Sequence, residues 1–81
     1  MTMTKTVLEL CEKRDEHRGT LSVQHRRIAS FAPAKAGGFT VELYNGADVL
    51  RTEHMGSRDE VLVFLMEIAG KVLTGHAYTD R

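Results

Sequence analysis

Four histidines, a single cysteine and a pair of adjacent glycines are the side chains of this sequence best suited to chemistry, so their spacing is the first thing to test. His17, His25, His54 and His76 show no HExxH or comparable interval, and a zinc site needs its ligands gathered in such a pattern. They read as unrelated positions in different elements. Cys11 has no base beside it in the sequence that would make it a nucleophile, and it falls on an apolar helical stripe where a small buried hydrophobe is the ordinary occupant. With no second cysteine it cannot close an internal disulfide, which fits a reducing compartment. Gly37-Gly38 lacks the following Lys-Ser/Thr of a phosphate loop and the GxGxxG of a dinucleotide site. No acid, base and nucleophile set can be assembled, so no catalytic, cofactor or metal residue is assigned and the expectation is a protein that is not an enzyme.

Charge is the next resource for function. Eleven Lys and Arg balance eleven Asp and Glu to a net charge of zero, which excludes the strong positive field of a dedicated nucleic-acid binder. The distribution is less even: residues 1–40 carry seven basic against four acidic groups, and residues 41–81 carry four against seven. Arg14, His17, Arg18, Arg26, Arg27 and Lys35 form the basic part and are the best candidates for contact with phosphate or with an acidic protein. Asp15 and Glu16 offset two of those charges, and no aromatic side chains interleave to stack bases, so a solvated surface is the blander account. Glu42, Asp48, Glu53, Asp59, Glu60 and Glu67 are the acidic counterpart, with Asp59 and Glu60 explained by the dipole of the helix they open.

The elements that must position these groups follow from periodicity. Thr6-Val7-Leu8-Glu9 has the form of a capping box, and Val7, Leu8, Leu10 and Cys11 then fall largely on one side of a helix. With Glu9 and Lys13 as an i,i+4 pair and Gly19 as a stop, a first helix is predicted over residues 5–17. Leu21, Val23, Ala29 and Phe31 alternate as in one strand over 20–31, with a bulge or bend near Gln24 to Arg27 where Arg27 and Ile28 fall out of phase. Ala32 to Gly38 reads as a loop. Phe39, Val41 and Leu43 alternate up to Asn45-Gly46, a hairpin signal, with Leu43 expected opposite Leu50, Glu42 opposite Arg51 and Tyr44 opposite Val49. Ser57-Arg58-Asp59-Glu60 is a second capping box, opening a last helix in which Val61, Leu65, Ile68 and Val72 form one stripe until Gly75 stops it, with a frayed tail over 76–81. The chain thus reads as a single domain over 1–81, of α+β class: a three-stranded antiparallel sheet with two helices on one face, in the order α-β-β-β-α.

That last helix is apolar over more of its circumference than one sheet covers, since Val63 and Met66 lie well off its stripe. The first helix packed alongside would cover them, or a partner would, including a second copy in a homodimer formed through this helix. The longest apolar run, Val61 to Met66, is far too short to span a bilayer, and the N-terminal residues lack the apolar core of a secretory signal. No membrane is expected, and a cytoplasmic location is.

The element order resembles the double-stranded RNA-binding domain. Val7 to Lys13 looks like that family's first helix, and Gly56-Ser57-Arg58 sits where the family's serine and lysines open its last helix. The resemblance implies a lysine grip on phosphate across the groove. Here Arg58 is followed by Asp59 and Glu60, and Ala32 to Gly38 lacks the family's Gly-Pro-x-His, so the likeness extends to the order of elements rather than to the RNA contacts. Small size, opposite-charged halves and a broad apolar helix instead fit a non-enzymatic protein-binding module, similar in scale and composition to the anti-CRISPR inhibitors that phages and mobile elements direct at host protein complexes. Arg14, Arg18, Arg26, Arg27, Lys35, Val63 and Met66 are then the candidate partner-binding residues, and nucleic-acid binding is the alternative.

Overall fold

A computed structural model describes residues 7–75. The elements are β1 (Leu8–Lys13), a 3-10 turn (Arg14–Glu16), β2 (Arg18–Val23), β3 (Arg26–Pro33), β4 (Phe39–Asn45), β5 (Asp48–Met55) and α1 (Arg58–Leu73). The strands form one antiparallel meander in sequence order, β1-β2-β3-β4-β5, with α1 on one face. This overturns the expected three-stranded sheet with two helices and, with it, the α-β-β-β-α order shared with the double-stranded RNA-binding domain. The Thr6 capping position and the 76–81 tail fall outside the described residues.

Two local readings account for the difference. The segment expected as a first helix is mostly β1, paired with β2 without interruption from Leu8↔Val23 to Lys13↔Arg18. A helix of about 13 residues is marginal in water by itself, whereas this strand gains a continuous ladder from a neighbour one tight turn away. His17, at φ 55, closes that turn in the left-handed region. The expected Glu9–Lys13 pair does not form: Glu9 lies 3.3 Å from His25 Nδ1, and Lys13 lies 3.8 Å from Glu16.

The segment expected as one strand over 20–31 is two. Gln24 and His25, at φ 53 and 62, make a two-residue hairpin turn between the paired Val23 and Arg26. Tight hairpin turns with positive φ usually carry Asn or Gly, so Gln-His sends no such signal. Gln24 offsets the strain through Val7, 17 residues earlier: its N–H donates to the Val7 carbonyl at 2.8 Å and its side-chain oxygen accepts the Val7 N–H at 3.1 Å. The out-of-phase residues are also explained. The register slips between Leu21↔Ala29 and Ser22↔Arg27, so Ile28 bulges into the core while Arg27 turns outward.

The β4–β5 hairpin forms, with Tyr44 opposite Val49 as expected. One step further a bulge skips Leu50, so Leu43 pairs with Arg51 and Glu42 with Thr52 instead of with Leu50 and Arg51. The helix matches its sequence signals closely. Ser57 Oγ accepts the Glu60 N–H at 3.3 Å, Glu60 Oε2 accepts the Gly56 N–H at 3.1 Å, and Gly75 follows the last turn at φ 76.

The core lies between the sheet and α1. Leu21, Val23, Ile28, Ala29, Phe31, Val41 and Leu43 meet Val61, Leu65, Ile68 and Ala69, with Phe39, Met55, Phe64 and Val72 at its margin. Gly19 sets how tightly one corner closes: a methyl group there would sit 2.6 Å from Phe31 Cε1 and 2.9 Å from the Cys11 carbonyl oxygen. Gly19→Ala must therefore displace the Phe31 ring or part β1 from β2, and it is expected to cost about 1–3 kcal/mol in urea unfolding. An unchanged midpoint would show that Phe31 is not held against the glycine.

Candidate interaction surface

Two contacts fix how α1 lies on the sheet. Arg58, its first residue, donates from Nε to Glu12 Oε2 at 2.7 Å and from Nη2 to Glu12 Oε1 at 2.6 Å, a two-pronged ion pair that ties the helix start to β1. On the opposite flank the Arg51 guanidinium lies 5.9 Å from the Phe64 ring centroid, and Arg51 also bonds Glu53. The β1 side of α1 is thus the side that carries Arg58, and steps of three and four place Leu62, Met66, Ala69 and Leu73 on it. Ala69 is buried and Leu62 half-buried, while Met66 is 74 % exposed and Leu73 50 %. Val63, further round the helix, is 57 % exposed.

Facing this flank, Leu8 and Leu10 sit opposite Val23 and Leu21 and so share the helix-bearing face of the sheet, yet both are nearly half exposed. An apolar strip results, with Leu8 and Leu10 on the sheet side and Leu62, Met66 and Leu73 on the helix side. The first helix that was expected to cover Val63 and Met66 is a strand, and no other described element takes its place.

The candidate basic cluster does not assemble as one patch. Arg14 and Arg18 flank the β1–β2 turn, with Lys35 in the β3–β4 loop at the same end of the sheet. Arg26 and Arg27 follow the Gln24-His25 turn at the other end of β2, about 17 Å away at the strand rise of roughly 3.3 Å per residue. Several of these charges also have local partners. Arg18 Nε lies 3.8 Å from Glu16, and the Arg27 guanidinium stacks 4.0 Å from the Tyr44 ring centroid. Tyr44 is buried on the helix-free face and shares a 2.6 Å hydrogen bond with Ser30 Oγ.

That helix-free face is polar. Cys11, Thr20, Ser30, Glu42 and Thr52 run across it as register neighbours, and a shallow groove near the β1–β2 turn is lined by Cys11, Lys13, Glu16, Arg18 and Thr20 among others. Cys11 is exposed there instead of buried on a helix stripe. Among the described residues no group of three or more His, Cys, Asp or Glu is placed to hold a metal ion, and no helix is long and apolar enough to cross a membrane.

Sequence reasoning missed Glu12, Leu8, Leu10 and Tyr44 as surface-defining residues. Alternation through Leu8, Leu10 and Glu12 was the available signal for β1, and it competed with a helical stripe built from the same leucines. Nothing local could pair Glu12 with Arg58, 46 residues away. The chain matches no family model, no curated protein and no solved structure.

The Arg58 hydrogen bond holds the Glu12 carboxyl below its usual range against an opposing effect of burial, and the Arg58 guanidinium is raised by the same bond. A carboxyl whose folded pKa is lowered contributes stability above its unfolded pKa and loses it as pH falls through the folded value. Glu12→Gln is therefore expected to lower the urea midpoint at neutral pH. The gap from the unsubstituted chain should narrow as the pH drops through and below the ordinary carboxylate range. A gap of constant size down to strong acid would show that the pair does not carry this contribution.

Proposed function

We propose that this chain is a protein-binding module that docks through the exposed side of α1, with Met66 and Val63 at the centre of the contact. One observation carries the reading: large apolar side chains at these positions and at Leu73, with the half-buried Leu62 beside them, share one helix surface that the described fold leaves largely to solvent. Exposing them costs solubility with no return in packing, and contiguous apolar surface of this kind marks interaction sites. Asp59 and Glu67 lie at the rim of the same surface and Glu60 opens the helix beside it, whereas among the described residues of α1 Lys71 is the one basic side chain apart from the tied Arg58. The fitting partner is a protein with an apolar patch bordered by Lys or Arg, since complementary charge at the rim speeds encounter and sets orientation.

The basic groups support nucleic-acid binding less well, because they divide between two ends of the sheet and form no continuous track along which a phosphate backbone could run.

A photo-crosslinking side chain installed at position 66 is expected to trap a protein partner in cells that express the chain, and Met66→Lys with Val63→Lys should abolish recovery of that partner. Arg26→Glu with Arg27→Glu should leave recovery intact. Loss of the partner with the arginine variant and retention with the helix variant would move the site to the sheet end and overturn the reading.

A further inference from the structure

The two edges of the sheet are not alike. β5 carries the Leu50 bulge, a device that discourages another strand from pairing with an edge. β1 carries no bulge in its ladder with β2, and among the described residues no strand pairs with its other side. Its main-chain groups have a definite phase. Val7 directs both its N–H and its carbonyl at Gln24, so in an antiparallel ladder Glu9, Cys11 and Lys13 also face β2, and Leu8, Leu10 and Glu12 present theirs outward. Glu12 on an edge would repel a second strand if its charge were free, but Arg58 neutralises it.

The side chains of β1 are complementary to themselves. Pairing antiparallel about Cys11 sets Leu10 opposite Glu12 of the other copy through outward main-chain groups, and it sets Glu9 directly opposite Lys13, twice, on the helix-free face. Pairing about Leu10 would also satisfy the main chain, but it places Glu9 opposite Cys11 and forms no such charge pair. Only weak exposed contacts compete: Lys13 with Glu16 at 3.8 Å, and Glu9 with His25 at 3.3 Å. With α1 leaving Leu8 and Leu10 nearly half bare, two copies could approach without their helices meeting, and the four leucines would line the floor between them.

We propose that β1 pairs antiparallel with β1 of a second copy of this chain, giving one continuous ten-stranded sheet with the two Cys11 side chains facing each other across the two-fold axis. This contact runs through β1, whereas the α1 surface proposed to bind another protein centres on Val63 and Met66.

Sedimentation of the 81-residue chain under reducing conditions tests the pairing. The mass is expected to rise with concentration from one chain to two. Glu9→Lys and Lys13→Glu should each weaken the dimer about tenfold by placing like charges opposite one another, and the double variant should recover it. The register is read by adding a thiol oxidant to the dimer. Each Cys11 thiol gives up a proton and an electron to the oxidant and one interchain disulfide forms, since residues opposed in this way lie within disulfide reach. Crosslinking should be fast in the unsubstituted chain and the charge-swapped double variant, and slow in either single variant. A chain that stays monomeric at every concentration overturns the proposal. So does a dimer indifferent to both single reversals, or one that Met66→Lys with Val63→Lys dissolves while the β1 variants do not. Failure here leaves the α1 reading to its own partner-capture test.

Discussion

An α-helix with its side chains is about 10 Å across, whereas five hydrogen-bonded strands span roughly 19 Å from the first to the last, so one helix seals the middle of such a sheet and leaves its margins wet. The remaining features of the molecule follow from that mismatch. Val41, Leu43 and Ala29 lie beneath α1 with no exposure at all, and Phe31 is nearly as well covered. On β1 the inward leucines are half bare, and on β5 Met55 reaches the core margin while two further inward positions are taken by Arg51 and Glu53, whose polar ends reach each other and solvent. A second helix would have evened out this cover, but the residues that resemble one are committed to β1.

Placement of α1 over the sheet depends on groups that contribute little to the apolar core. Arg58 bonds Glu12 on one side and Phe64 meets Arg51 on the other, so the helix is held by charge and ring contacts at two opposite flanks while Val61, Leu65 and Ile68 fill the space between. Hydrophobic burial is non-directional and would accept a helix rotated by some tens of degrees. The directional Arg58–Glu12 pair selects one rotation, and that choice is what turns Leu62 and Leu73 toward β1 and leaves Met66 and Val63 facing outward.

The helix-free face is built on different terms. Its hydroxyls, Glu42 and the Arg27–Tyr44–Ser30 cluster give a sheet surface that tolerates water without an apolar layer. Tyr44 illustrates how this is done: its ring is shielded by the Arg27 guanidinium, and its hydroxyl is satisfied by Ser30.

Local patterning by itself determined the last helix, from its Ser57 cap and Glu60 to its Gly75 stop, and the existence of the β4–β5 hairpin, because both are written in residues within one or two turns of each other. The same patterning marked Val63 and Met66 as apolar side chains in excess of what one sheet can cover. It could not choose between helix and strand for Val7 to Lys13, where leucine spacing serves both periods, nor show that Gln24-His25 is a turn, since the pair carries no turn signature and the left-handed Gln24 is held by Val7 from a distant segment. Tertiary structure decided these, together with the division of the basic residues between two ends of the sheet and the pairing of Glu12 with Arg58. The reason is common to all of them: strand pairing and long-range ion pairs acquire their free energy from a partner far along the chain, and no window of sequence contains both halves of the interaction.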